Sequence, residues 1–230
     1  MINAEPSAGG IARRSQDESF WRHQGYVLAK RLIDIVGAAT FLLLLAPLFA
    51  LVSLWIRWDS PGPVFFRQQR VGQHGKRFTM YKFRSMRADA DPRIHQQYFL
   101  DLLKESRAHG GSAVFKVPDD QRVTRAGRVL RRTSIDELPQ LWNVLVGNMS
   151  LVGPRPPIPY EVDAYEPWVR QRLEVVPGIT GLWQVSGRSR LSVEEMFRLD
   201  IEYVRRQSLR LDMEILLLTI PTVLTLGKAA

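Results

Sequence analysis

Cysteine is absent from all 230 residues, so neither a disulfide framework nor a thiolate zinc site is available. Histidine is scarce. The four present (His23, His74, His95, His109) are scattered, with no i, i+4 pair to hold a metal. No G-x-x-x-x-G-K-[ST] or G-x-G-x-x-G occurs, which removes the common phosphate- and dinucleotide-binding loops. There is no internal repeat. Acidic residues are the minority, 23 against 32 lysines and arginines, and the net charge of +9 points to anionic partners: phospholipid headgroups, nucleotide or polynucleotide. The length suits one globular domain with appendages.

Charge is missing altogether from residues 35–56, a run of 22. As a helix at ~1.5 Å per residue the run would reach about 33 Å, enough for a bilayer core. It is too long for a secretory signal, and no small-residue cleavage site follows it. Its flanks disagree about orientation, because Arg22, Lys30 and Arg31 precede it while Arg57, Arg67 and Arg70 follow. One geometry satisfies both: the helix enters the bilayer, breaks at Ala46-Pro47 and returns to the same face. A spanning helix with a tolerated proline kink is the alternative. Asp34, beside Lys30 and Arg31, would anchor the helix in the headgroup layer. A second apolar stretch, residues 215–226, contains Pro221 and is too short to cross. After Arg205, Arg206 and Arg210 it reads as an interfacial helix, or else as a C-terminal core helix.

The rest of the chain is mostly helical around a small β-hairpin, an α+β pattern. Val64-Phe65-Phe66 and Phe78-Thr79-Met80-Tyr81 read as its strands, with Gly72 and Gly75 in the turn. Residues 94–107 predict a helix with Tyr98, Leu102 and Leu103 on its apolar face, and Val114-Phe115 a short strand. Residues 161–174 read as helix restarted at Pro167. Ser192-x-x-Glu195 caps a helix running to about Arg206.

The chemistry concentrates in Ser134-Ile135-Asp136-Glu137-Leu138-Pro139-Gln140-Leu141. Pro139 fits only the first turn of a helix, which places the acids at its positive end. Leu138, Leu141, Trp142 and Leu145 would then form one apolar stripe on the core. Arg125, Arg128, Arg131 and Arg132 lie just upstream, and Arg155 follows between two prolines. Ser134-x-x-Glu137 also matches a capping box, in which both side chains would serve only the backbone. An acid pair among cations is what chemistry on a metal-bound diphosphate requires.

Several further motifs recur in order: Lys30-Arg31-x-x-Asp34, Gln69-Arg70-x-Gly72, Lys82-Phe83-Arg84-Ser85-Met86 and Arg131-x-x-Ser134-x-Asp136-Glu137-Leu138-Pro139-Gln140. Met149-Ser150-Leu151-Val152-Gly153-Pro154-Arg155-Pro156 and Pro177-Gly178-Ile179-Thr180-Gly181 follow. With them the chain, from about Lys30 to its end, resembles the bacterial sugar transferases, the small monotopic polyprenyl-phosphate phosphoglycosyl transferases. The resemblance implies transfer of a sugar-1-phosphate from a UDP-sugar to polyprenyl phosphate, with release of UMP, at the cytoplasmic face of the inner membrane. It implies Asp136 as nucleophile forming a covalent phosphosugar intermediate, and Glu137 assisting with Mg²⁺ or with the acceptor's proton. The family's Ser-Pro helix break would fall at Ala46-Pro47, where alanine replaces the serine.

Composition and likeness together divide the chain into a disordered tail (1–25), a re-entrant helix (26–58), a catalytic domain (59–208) and an interfacial helix (209–230). A carboxylate attacks an anionic diphosphate only when repulsion is cancelled, and Lys82, Arg84, Arg131 and Arg155 are the candidate cations. Anionic lipids are the expected surface partner and nucleic acid is not. A one-step transfer, with the acids only binding metal, is the enzymatic alternative. A membrane-tethered basic scaffold is the non-enzymatic one, although it gives no reason for the acid pair. Gly181-Leu182-Trp183-Gln184-Val185-Ser186-Gly187-Arg188 looks more like the hexose-1-phosphate members.

Overall fold

The computed structural model describes residues 8–91, 93–109, 120–187 and 190–225. The strand expected at Val114-Phe115 lies outside them. Helix α1 (Ala8–Leu44) and helix α2 (Ala46–Asp59) form the first part of the fold. Residues 8–25, expected to be a disordered tail, instead begin α1. No proline interrupts that stretch, and good helix formers such as Ala12, Arg13, Gln16 and Glu18 propagate the ladder.

No single helix among the described residues is long and apolar enough to cross a membrane. Gln24–Leu44 and Ala46–Asp59 together are, and they meet at a 60° bend. Pro47 stands in the first turn of α2, where its missing N–H costs nothing, and Leu45 is the residue between the helices. Helix α1 lies along the body of the protein. Asp34 and Ala38 on one face are buried, with Leu42 packed beside them, while Leu28, Leu32, Val36 and Leu43 are exposed.

Strands β1 (Phe65–Val71) and β2 (Arg77–Phe83) form the hairpin in antiparallel register, Gln68 opposite Met80. Helix α3 (Arg93–His109) follows. It buries Phe99 with Leu103, a position the apolar-face reading passed over. Helix α4 (Arg125–Thr133) is capped by Thr124, whose Oγ1 accepts from Gly127 N at 3.0 Å. Helix α5 (Gln140–Leu145) then runs back across the hairpin. It is pinned there by Asn143, fully buried, which accepts from Tyr81 N (3.0 Å) and donates to Thr79 O (2.7 Å). These two bonds satisfy strand groups and amide together.

Strand β3 (Ser150–Val152) pairs in parallel with β4 (Gly178–Thr180). The two backbones cross so closely that a Cβ on Gly178 would sit 2.1 Å from Gly153 N. Between these strands lie helix α6 (Pro159–Asp163) and a 3-10 turn at Val169–Leu173, in place of one restarted helix. Helix α7 (Leu182–Ser186) leads to α8 (Val193–Arg206), which carries the expected capping box: Ser192 Oγ accepts from Glu195 N and Glu195 accepts from Ser192 N. Helix α9 (Leu209–Thr225) packs Ile215 against Val152, Val175 and Tyr203, and exposes Met213, Leu217 and Ile220. One face is core, the other apolar and open.

Lys30, Arg31 and Asp34, in the second half of α1, are turned to the protein body rather than left free for headgroups. Asp34 accepts from Ser150 Oγ and Leu151 N, Lys30 pairs with Asp212 at 2.8 Å, and Arg31 donates to the carbonyls of Val144 and Leu145 at the end of α5. A cation on the last carbonyls of a helix satisfies them and its dipole together. The far end of the pair is tied to the same body. Asp59 accepts from Ala126 N at the start of α4. Arg84 donates to the carbonyls of Ser60 and Pro61, at 2.6 and 2.7 Å.

Candidate active site

Helix α4 ends at Ser134, which adopts the left-handed conformation (φ 59°, ψ 15°) rare outside glycine. That turn swings the chain into a 3-10 segment, Ile135–Glu137, and the acids sit on it rather than in the first turn of an α-helix. The six-residue α5 that follows carries little dipole to hold them. The apolar stripe is also broken: Leu141 is buried, but Trp142 points to solvent. Ser134 makes no side-chain cap bond, and the Glu137 carboxylate reaches elsewhere, so the capping box is not formed.

Glu137 accepts from Lys82 Nζ at 2.9 Å and lies 3.6 Å from Arg155 Nη1. Lys82 comes from the end of β2, Arg155 from the turn after β3, and Arg131 from the last turn of α4. Asp136 is 8% exposed, on the same short turn. Burial holds the Lys82 ammonium below its ordinary value, opposed chiefly by Glu137 and more weakly by Asp136, with Arg155 adding to the depression. Burial likewise lowers Arg131, and the first charge opposing it is Asp136, then Asp120. Three separate elements therefore bring Lys82, Arg131 and Arg155 around two adjacent carboxylates.

Arg84 is not among them. Its guanidinium, 4% exposed, is spent on the carbonyls that follow α2, so the fourth candidate cation is structural. It stands one residue past the end of β2, where strand alternation no longer governs it, and its side chain turns to Ser60 and Pro61 rather than to Glu137. Ala46 and Pro47 lie at the α1–α2 bend, apart from this cluster.

Among the described residues no group of three or more His, Asp or Glu side chains could hold a metal. Two carboxylates are nonetheless a suitable donor set for Mg²⁺, which commonly takes one or two together with substrate phosphates and water.

An acid pair enclosed by cations, at the edge of a hairpin and beside a bent apolar helix pair, defines a class. The chain belongs to the bacterial sugar transferase family, which it matches over residues 25–226, and by that membership it is a transferase. Galactosyl transferase CpsE of Streptococcus agalactiae is 45% identical over 206 residues, covering 89% of this chain but 44% of CpsE. The exopolysaccharide production protein ExoY of Rhizobium meliloti is 39% identical over 198 residues, 85% of each chain. A UDP-glucose:undecaprenyl-phosphate glucose-1-phosphate transferase of Caulobacter vibrioides is 42% identical, covering 88% of this chain and 72% of its own.

Reading the sequence missed Asn143, Arg172, Tyr165 and Asp200. Arg70 stood in a quoted motif without a role. All are buried, and nothing in the adjacent sequence shows that such a residue is enclosed by partners elsewhere in the chain, Arg70 by Pro156 and Asn143 by Tyr81 among them.

Proposed function

We propose that the protein transfers a sugar-1-phosphate, a hexose-1-phosphate by likeness to its relatives, from a UDP-sugar to a polyprenyl phosphate such as undecaprenyl phosphate. The reading is carried by one observation above all: Lys82, Arg131 and Arg155 converge on Asp136 and Glu137. In this mechanism an Asp136 carboxylate oxygen attacks the β-phosphorus of the donor. The bond from that phosphorus to the bridging oxygen breaks, UMP leaves with the electron pair, and an aspartyl phosphosugar remains. An oxygen of polyprenyl phosphate then attacks the same phosphorus and releases the Asp136 carboxylate.

Glu137, already engaged by two cations, is the weaker nucleophile and serves to orient Lys82 and Arg155. Those two and Arg131 offset the repulsion between carboxylate and diphosphate and stabilise charge on the equatorial oxygens. Mg²⁺ held by Asp136 and Glu137 would supply further neutralisation of the diphosphate.

The same reading makes the α1–α2 pair re-entrant, with the site on the cytoplasmic face of the inner membrane. Arg31 and Asp34 near the start of the apolar run and Asp59 after it are bonded to one body, which supports re-entry. Exposed apolar side chains on α1, α2 and α9 are the surfaces left for lipid. The product is the first lipid-linked intermediate of an exopolysaccharide or related glycan.

Purified protein given undecaprenyl phosphate and a panel of UDP-sugars should release UMP with at least one donor, in a Mg²⁺-dependent manner. Asp136→Asn should lower that rate by at least about 10³-fold. Full activity of Asp136→Asn would remove the nucleophile assignment. A basic scaffold would release no UMP with any donor.

A further inference from the structure

Arg155 stands on an awkward piece of chain. Of the residues 153–157, three are prolines without an N–H, so the turn cannot hold itself by its own donors. Its carbonyls are instead gripped one after another. Pro154 O accepts from Gly178 N at 2.9 Å, Arg155 O from Arg172 Nη2 at 3.0 Å, Pro156 O from Arg70 Nη1 at 2.8 Å and Pro157 O from Val71 N at 2.9 Å.

Two of the four donors are guanidinium groups, with Arg70 and Arg172 only 5% and 6% exposed. Burying a guanidinium costs several kcal/mol before pairing, and a buried ion pair is weak evidence for stability as such. Each is nevertheless braced. Arg172 pairs with buried Asp200, donates to Tyr165 Oη and lies 5.2 Å over the Phe197 ring. Arg70 donates to Gln68 Oε1 at 2.6 Å. A network of this cost, ending on the backbone of Arg155, has a geometric purpose. The planar guanidinium of Arg172 holds Tyr165 from one nitrogen and Asp200 with the Arg155 carbonyl from the other, a fixed two-nitrogen geometry that the single nitrogen of an ammonium does not reproduce.

We propose that Arg172 and Arg70 are positioning residues: braced by Asp200, Tyr165 and Gln68, they fix the turn that aims the Arg155 guanidinium at Glu137 and at the donor diphosphate. This rests on the transferase reading for what Arg155 meets, not for how it is held. Arg172→Lys keeps the charge facing Asp200 and loses the fork.

The test combines three readouts on Arg172→Lys, with Tyr165→Phe as a milder second variant should the first fold poorly. Donor kcat/KM should fall about tenfold or more in the wild-type background and less than about twofold in an Arg155→Ala background, a non-additive cycle. The Gly153 and Ile158 amides should exchange with deuterium at least about tenfold faster, with exchange at 136–141 unchanged. The thermal midpoint reports any global loss. Equal losses in both backgrounds, or unaltered exchange at 153 and 158, would overturn the positioning role. A wild-type protein that uses no donor, yet whose 153–158 amides loosen in Arg172→Lys, would sink the transferase reading and leave the clamp standing.

Discussion

Lys82 and Arg84 are two residues apart in one motif, and the sequence offers the same reason to choose either. Their destinations differ because β2 ends between them, at Phe83: Lys82, still on the strand, meets Glu137, while Arg84, beyond it, meets the carbonyls after α2. Their variants should therefore fail differently. Lys82→Met should lower kcat/KM by about 10²–10³-fold with little change in thermal midpoint. Arg84→Met should cost about 2–4 kcal/mol of stability while the folded fraction keeps its turnover, measured by denaturant melts beside initial rates. Lys82 also predicts a pH dependence. Burial favours its neutral form, so activity should fall on the alkaline side with an apparent pKa below 10.5. Lys82→Arg, charged throughout that range, should lose this limb. That the acid pair would lie among cations was legible from the arginines on both sides of it in the sequence, and Glu137 does meet Lys82 and Arg155.

Elements were legible where a local rule sets them. The hairpin, the Ser192–Glu195 capping box and the bend at Ala46-Pro47 each follow from residues within a few positions. What failed were features decided at a distance. The 3-10 turn carrying Asp136 depends on Ser134 accepting a left-handed backbone, and on α5 being pinned to β2 by Asn143. Helix α4 is set by a close approach of the same kind. A Cβ on Gly127 would stand 1.9 Å from Ser85 O, and no side chain lies between to yield. Gly127→Ala should push α4 off the hairpin, destabilise by about 1–3 kcal/mol and displace Arg131 from Asp136, seen as a fall in kcat beyond the loss in folded protein.

Over the whole molecule, the apolar helix pair is less a separate anchor than a wall of the catalytic body. Lys30, Arg31 and Asp34, expected at the headgroups, are engaged with β3, α5 and α9. Composition alone could not separate these destinations, since a headgroup phosphate and a helix carbonyl both attract a cation. Single cysteines placed before Lys30 and after Arg57 in this cysteine-free chain should label from the same cytoplasmic side in inverted vesicles. Labelling from opposite sides would establish a spanning pair and detach the site from the headgroup plane.

In the proposed mechanism the cations gathered by three elements make Asp136 competent to bond phosphorus, and that bond is open to direct weighing. Intact-mass spectrometry of the protein mixed with a productive UDP-sugar and Mg²⁺, with lipid phosphate withheld, should show one added phosphosugar on the peptide containing Asp136 and none on Asp136→Asn. The adduct should vanish when polyprenyl phosphate is added. Turnover with both substrates but no adduct with donor alone would instead mean a direct, one-step transfer.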